Sequence, residues 1–166
     1  ASTGSLGQGI SIAVGMAIGA KLSGKDIKVY TVCGDGELQE GLVWEASMAA
    51  AYYKLDNLTV FVDNNGLQID GPNDKVMALG DLAAKFAAFG YKVIEVADGN
   101  DIAQVMAALD ADSEGKPKLI LCHTVKGKGV SFMENQVGWH GKAPNAEQYA
   151  QAMSELEARV KELEVL

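Results

Sequence analysis

The junction at which the apolar run of residues 27–33 meets Gly34-Asp35-Gly36 restricts this chain more than any other stretch. The run is short, rich in β-branched residues and nearly free of charge, which suits a strand of a parallel sheet covered on both faces. Gly34 and Gly36 then end it. Two glycines around one aspartate let the backbone turn sharply and let an anion approach the main chain, while Asp35 sits at the strand's carboxyl end, where open α/β sheets bind ligands. A second apolar run, residues 58–62, leads to Asp63-Asn64-Asn65, and Asn65 follows Asp35 by 30 positions. A strand, a crossover helix and a neighbouring parallel strand account for that spacing, so both side chains should emerge at one edge of the sheet.

A hard cation fits such an edge. Mg²⁺ takes about six oxygens, sheds water reluctantly and fills its shell from phosphates. The carboxylate of Asp35, the amide oxygen of Asn65 and a main-chain carbonyl at Leu67 would supply the protein's share. The rest would come from a diphosphate and water.

Around this junction the pattern predicts a helix over 6–22 with Ile10, Val14, Ala17, Ile18 and Leu22 on its apolar face, and with Gly15 and Gly19 allowing close approach to the sheet. Residues 38–53 read as a helix with almost no polar face, so it should be buried within the domain or against a partner. Glu40 and Glu45 lie on it, either as two solvated glutamates or as a proton-sharing site at an interface. Residues 63–75 are polar, contain Gly71-Pro72 and read as a functional loop. A helix over 81–89 ending at Gly90, a strand over 92–96, a helix over 102–109 capped by Asp101 with Ala and Met on its inner face, and a strand over 118–124 follow. The run to Pro144 reads as a long ligand-binding loop. Asn145 with Gln148 opens a last helix, whose stripe Tyr149, Met153, Leu156, Val160 and Leu163 should dock on the chain's own domain. Of the two histidines, His123 at a strand end reads as structural and His140 as the better catalytic candidate.

Other readings fail. Gly7-x-Gly9 has no preceding strand and no third glycine at Ile12, so it is not a dinucleotide fingerprint; Lys126-Gly127-Lys128-Gly129 lacks the Walker spacing. A net charge of −8 argues against nucleic acid or a membrane surface as partner. No apolar stretch is long enough to span a bilayer and no signal peptide is visible. Cys33 and Cys122 lie inside apolar strands and read as buried free thiols.

These residues carry a family resemblance. Gly34-Asp35-Gly36-Glu37-Leu38-Gln39-Glu40-Gly41 with Leu67-Gln68-Ile69-Asp70-Gly71 resembles the thiamine diphosphate motif of transketolases. Thr3-Gly4-Ser5-Leu6-Gly7-Gln8-Gly9 is similar to that family's loop under the cofactor's pyrimidine, and residues 123–129 with Trp139-His140-Gly141 to its later active-site loop. The resemblance implies an α/β chain of the three-layer α/β/α, mainly parallel, thiamine diphosphate-binding fold, with residues 1–166 as one domain lacking the family's front segment. It implies thiamine diphosphate contacts at Gly4, Leu6, Gly34, Asp35, Gly36, Glu37, Asn65, Ile69 and His140. Mg²⁺ would be held at Asp35, Asn65 and Leu67, and catalysis would involve His140 and Glu40, the latter near a partner's carboxylate. The implied activity is transfer of a two-carbon ketol unit between sugar phosphates in the cytoplasm, as in the pentose phosphate pathway. It would be exercised as a dimer or hetero-oligomer with a separate pyrimidine-binding chain, the isolated chain being inactive. Two alternatives stand beside it: a deoxyxylulose phosphate synthase-like thiamine enzyme, and a non-catalytic chain that keeps the fold.

Overall fold

The computed structural model describes residues 2–163. Helix α1 (Gln8–Leu22) leads into β1 (Val29–Gly34), α2 (Gly41–Tyr52) and β2 (Leu58–Asn64). A small hairpin, β3 (Leu67–Gln68) and β4 (Gly71–Pro72), precedes α3 (Asn73–Val76), α4 (Leu82–Phe89), β5 (Lys92–Val96), α5 (Ile102–Asp110), β6 (Lys118–His123) and α6 (Ala146–Leu163). The main sheet has the order β1-β2-β6-β5, and every neighbouring pair is parallel.

Strand alternation decides what covers each face. Val29, Cys33, Val60, Val62, Leu119 and Leu121 share a core with α1, α2 and α4. The intervening positions Phe61, Ile94, Val96, Ile120 and Cys122 pack instead with Val105, Ala108 and Leu109 of α5. The chain steps from β1 outward to β5 and then back to β6, and a right-handed crossover taken in the reverse direction puts its helix on the opposite face. The expected three layers are thus present, with α5 as the second outer layer. Over β1 that face is bare, and Tyr30 and Val32 are 56% and 70% exposed.

Several local expectations hold. Asp101 accepts the Ala103 N–H at 2.9 Å and caps the helix that follows; Asp81, read as the first residue of a helix over 81–89, stands just outside α4 and caps it, accepting the Ala84 N–H at 2.8 Å. Gly90 ends α4 in a left-handed conformation, with φ of 100°. Cys33 and Cys122 are buried free thiols, and burial, reinforced by the nearby Glu37 charge, pushes the Cys33 thiol up to about 12. No helix of the described residues is long and apolar enough to cross a membrane.

Others are corrected. The helix expected over 38–53 is two pieces: a 3₁₀ turn, Gly36–Gln39, and α2, separated by Glu40 with extended backbone (φ −75°, ψ 131°). The carboxylate of Glu37 turns back onto the backbone and holds that turn. Gly15 and Gly19 face outward with no neighbour within 4 Å of a built Cβ; Ala13, Ala17 and Ala20 make the close approach instead. Residues 63–75 are a hairpin and a helical turn, because Asn73 N–H donates to the Gly66 carbonyl at 2.9 Å and Gln68 Nε2 to Asn73 Oδ1 at 2.7 Å. Met106 points outward while Val105 and Ala108 pack. The stripe expected to dock α6 on its own domain is largely exposed at Tyr149, Val160 and Leu163. That helix lies against the preceding loop and not on the sheet.

Candidate functional site

At the carboxyl end of β1 the 3₁₀ turn begins on Asp35, which is 1% exposed. Its Oδ1 accepts the Gly36 N–H at 2.8 Å and its Oδ2 accepts the Gly66 N–H at 2.5 Å. The second bond ties the turn after β1 to the turn after β2, which brings Asn65 to the same edge. Asn65 is oriented in turn: its Nδ2 donates to Asp63 Oδ1 at 3.2 Å and its Oδ1 accepts the Leu67 N–H at 3.0 Å. Gly36 lies so close to the hairpin that a Cβ there would meet Gln68 Cβ at 3.0 Å. Any side chain at position 36 would push β3 away from the turn.

Glu37 joins the amino-terminal loop to this edge. Its Oε1 accepts the Gly7 N–H at 2.8 Å and its Oε2 the Gly34 N–H at 3.2 Å. Gly4, Leu6 and Glu37 consequently line one groove of about 550 Å³ beside β1. Ile69, at the tip of the hairpin, is 66% exposed. Glu40 is solvent-exposed at the start of α2. His140 is exposed in the loop after a 3₁₀ turn, Val137–Trp139, and among the described residues no hydrogen bond joins it to Asp35, Glu37 or Asn65.

A second cleft of about 580 Å³ lies at the same end of the sheet, lined among others by Asn64, Gly66, Asn73, Asp81, Glu95 and His123. His123 is held at both ring nitrogens, Nδ1 lying 3.3 Å from Asn64 Nδ2 and Nε2 lying 3.3 Å from Glu95 Oε2. The sequence reads this histidine as structural; in the fold it lines a cleft with a carboxylate partner. Glu95 carries no motif signal in the sequence, and Asn64 is overshadowed there by its neighbour Asn65. The strand register, which sets Asn64 opposite His123 on neighbouring strands, was not written in any local motif.

The donors suit a hard cation. Burying a carboxylate costs free energy unless it is paired, hydrogen-bonded or metal-bound, and Asp35 forms no ion pair with a cationic side chain among the described residues. Its two N–H donors leave lone pairs on both oxygens. Nor do the described residues gather three or more His, Cys, Asp or Glu as a metal cage. A cation here would rest on Asp35, the Asn65 amide and backbone oxygen, completed by its ligand's phosphates.

Known proteins share this chain's sequence and fold. It is 44% identical over 165 residues to a subunit of the apulose-4-phosphate transketolase of Phocaeicola vulgatus, covering 98% of this chain and 58% of that protein. It is 41% identical to the 6-deoxy-6-sulfo-D-fructose transketolase subunit SqwG of Clostridium sp. (strain MSTE9), covering 94% of this chain and 57% of that one. The structure superposes on transketolase from Campylobacter jejuni with a TM-score of 0.87 at 34% identity, covering 92% of this chain and 25% of that one. The chain therefore spans somewhat over half the length of these two transketolase-subunit relatives. Residues 1–165 match the family described as transketolase, thiamine diphosphate binding domain, and the chain belongs to that family.

Proposed function

We propose that this chain, as a single domain, is the diphosphate- and Mg²⁺-holding half of a two-chain transferase that moves a two-carbon ketol unit between sugar phosphates. The observation that carries the reading is the Asp35–Gly66 hydrogen bond, which sets a buried carboxylate and the Asn65 amide at one sheet edge beside glycine-lined backbone. Asp35 and Asn65, with the Leu67 carbonyl, would hold the metal. Gly34, Gly36 and the loop carrying Gly4 and Leu6 would receive the diphosphate end and the ring. Ile69 would lie against the cofactor.

When bound, thiamine diphosphate supplies a nucleophilic carbon and an electron sink. This chain's residues would then bind, orient and move protons. Glu40, free in solvent at the start of α2, would meet a carboxyl group of a pyrimidine-binding partner, where sharing a proton favours one neutral and one ionised acid. His140 would exchange a proton with the sugar's hydroxyl. The partner is inferred because the two relatives are themselves named as transketolase subunits, and a phosphorylated or sulfonated sugar as substrate because those names contain one.

Isothermal titration with thiamine diphosphate, with and without Mg²⁺, tests the reading. Binding should require the metal, be abolished in Asp35→Ala and be weakened in Asn65→Ala. Unchanged affinity in Asp35→Ala would remove the site. Metal-independent binding would remove the cation from the site, and no binding even with Mg²⁺ present would favour a chain that keeps the fold without its chemistry.

A further inference from the structure

Helix α6 makes its polar anchorage on the loop that carries His140. Glu155, on α6, accepts two hydrogen bonds from one residue of that loop: Ser131 N–H at 2.6 Å to Oε2 and Ser131 Oγ–H at 2.7 Å to Oε1. Gln151, one turn earlier, donates from Nε2 to Glu155 Oε1 at 2.8 Å and orients the carboxylate. The loop itself is closed on either side. Asn135 N–H donates to the Lys126 carbonyl at 2.9 Å, and Gly129 N–H to Glu134 Oε1 at 3.0 Å. Gly127 has φ of 74°, and a Cβ there would come within 2.6 Å of the Met133 carbonyl oxygen. Beyond Ser131, the Phe132 carbonyl accepts the Trp139 indole N–H at 3.1 Å, and the two rings meet edge to face at 5.3 Å. Trp139 is bonded directly to His140.

We propose that Glu155 is a positioning residue which, through Ser131 and the Phe132–Trp139 contact, holds segment 126–140 in the arrangement that presents His140. A carboxylate accepting two hydrogen bonds from one residue is directional and charge-assisted, so it selects one loop conformation where apolar packing alone would tolerate several. The same bonds, first that from the Ser131 backbone, hold the Glu155 carboxyl below the usual carboxylate range. The importance of His140 rests on the reading above; the brace does not.

The test is solvent exchange of the Trp139 indole proton, followed by NMR in the full chain, with the amides of β2 and β6 as controls. Glu155→Ala should accelerate Trp139 exchange by about 10- to 100-fold, the scale of losing charge-assisted hydrogen bonds. The control amides should stay slow. Ser131→Ala should give a smaller acceleration and Glu155→Gln a partial rescue. An unmoved Trp139 signal in Glu155→Ala would overturn the proposal, and so would parallel acceleration of the β2 and β6 amides, which would mean general loosening. Because this measurement needs neither cofactor nor partner, failure of thiamine diphosphate to bind would bear on the site and leave the brace standing.

Discussion

At the scale of single residues, the site edge is held by carboxylates that accept backbone N–H groups. Glu37 accepts from both Gly7 and Gly34, so Glu37→Gln should keep one of these bonds and lower stability by about 1 kcal/mol. Urea unfolding measures this; an unchanged midpoint would mean that the loop is held by other contacts. Cys33 makes the stability depend on pH. Its thiol is raised from an ordinary value near 9 to about 12, so between these values the unfolded chain has released a proton that the folded chain keeps. Stability is therefore intact below about pH 9 and falls as pH rises toward 12, with a slope that approaches about 1.4 kcal/mol per unit. The raised hydroxyl of Tyr91, also pushed by burial to about 12, adds in the same direction. Cys33→Ser, neutral throughout this range, should flatten the curve of denaturation midpoint against pH, and an unaltered slope would count against the buried thiol. His140→Ala should lower ketol transfer by a reconstituted enzyme about 100-fold or more, as expected for loss of a positioned proton-transfer group.

At the scale of elements, caps and breaks matter more than propensity. Asp81 caps α4 from its side chain, so Asp81→Ala should cost about 1 kcal/mol. Thermal unfolding of this variant beside Asp81→Asn, which removes the charge but keeps a capping oxygen, separates the cap from the loss of a surface charge. The break at Glu40 changes where that side chain stands. A continuous helix would have carried this side chain on its flank, whereas the observed turn leaves it at the start of α2 and exposed. α6 buries only Ala152 along its whole length, whereas α1 and α2 each bury a full face. Of its stripe, Leu156 lies beside Gly129 of the preceding loop, while Tyr149, Val160 and Leu163 stay exposed, although the heptad-like spacing is plain in the sequence.

For the molecule as a whole, β1 is uncovered both at its outer edge and on its second face. Leu6, Ile12, Met16, Ile27, Tyr30 and Val32 line the groove there, and all of them are exposed. Apolar surface this continuous is uncommon on a monomer. The isolated chain should bind an apolar dye and sediment with some self-association; a dye-free monomer would mean that the patch is too broken to associate. Ketol transfer from xylulose 5-phosphate to ribose 5-phosphate should be absent with this chain alone and appear only when a pyrimidine-binding chain is added. Turnover by the lone chain would refute the two-chain site.

Local chemistry alone determined the strand over 92–96, the strand over 118–123 to within one residue, the cap at Asp101 and the stop at Gly90. Each of these depends on neighbours a few residues apart or on an apolar run of one period. The tertiary structure decided what distant segments do to one another. Glu37 reaching Gly7, Asp35 reaching Gly66, Glu95 and Asn64 flanking His123, and Glu155 gripping Ser131 all join residues far apart in the chain. Such contacts leave no periodic trace because each needs only one side chain of suitable reach. Which way Gly15, Met106 and the stripe of α6 would face was settled likewise by the surface each helix met.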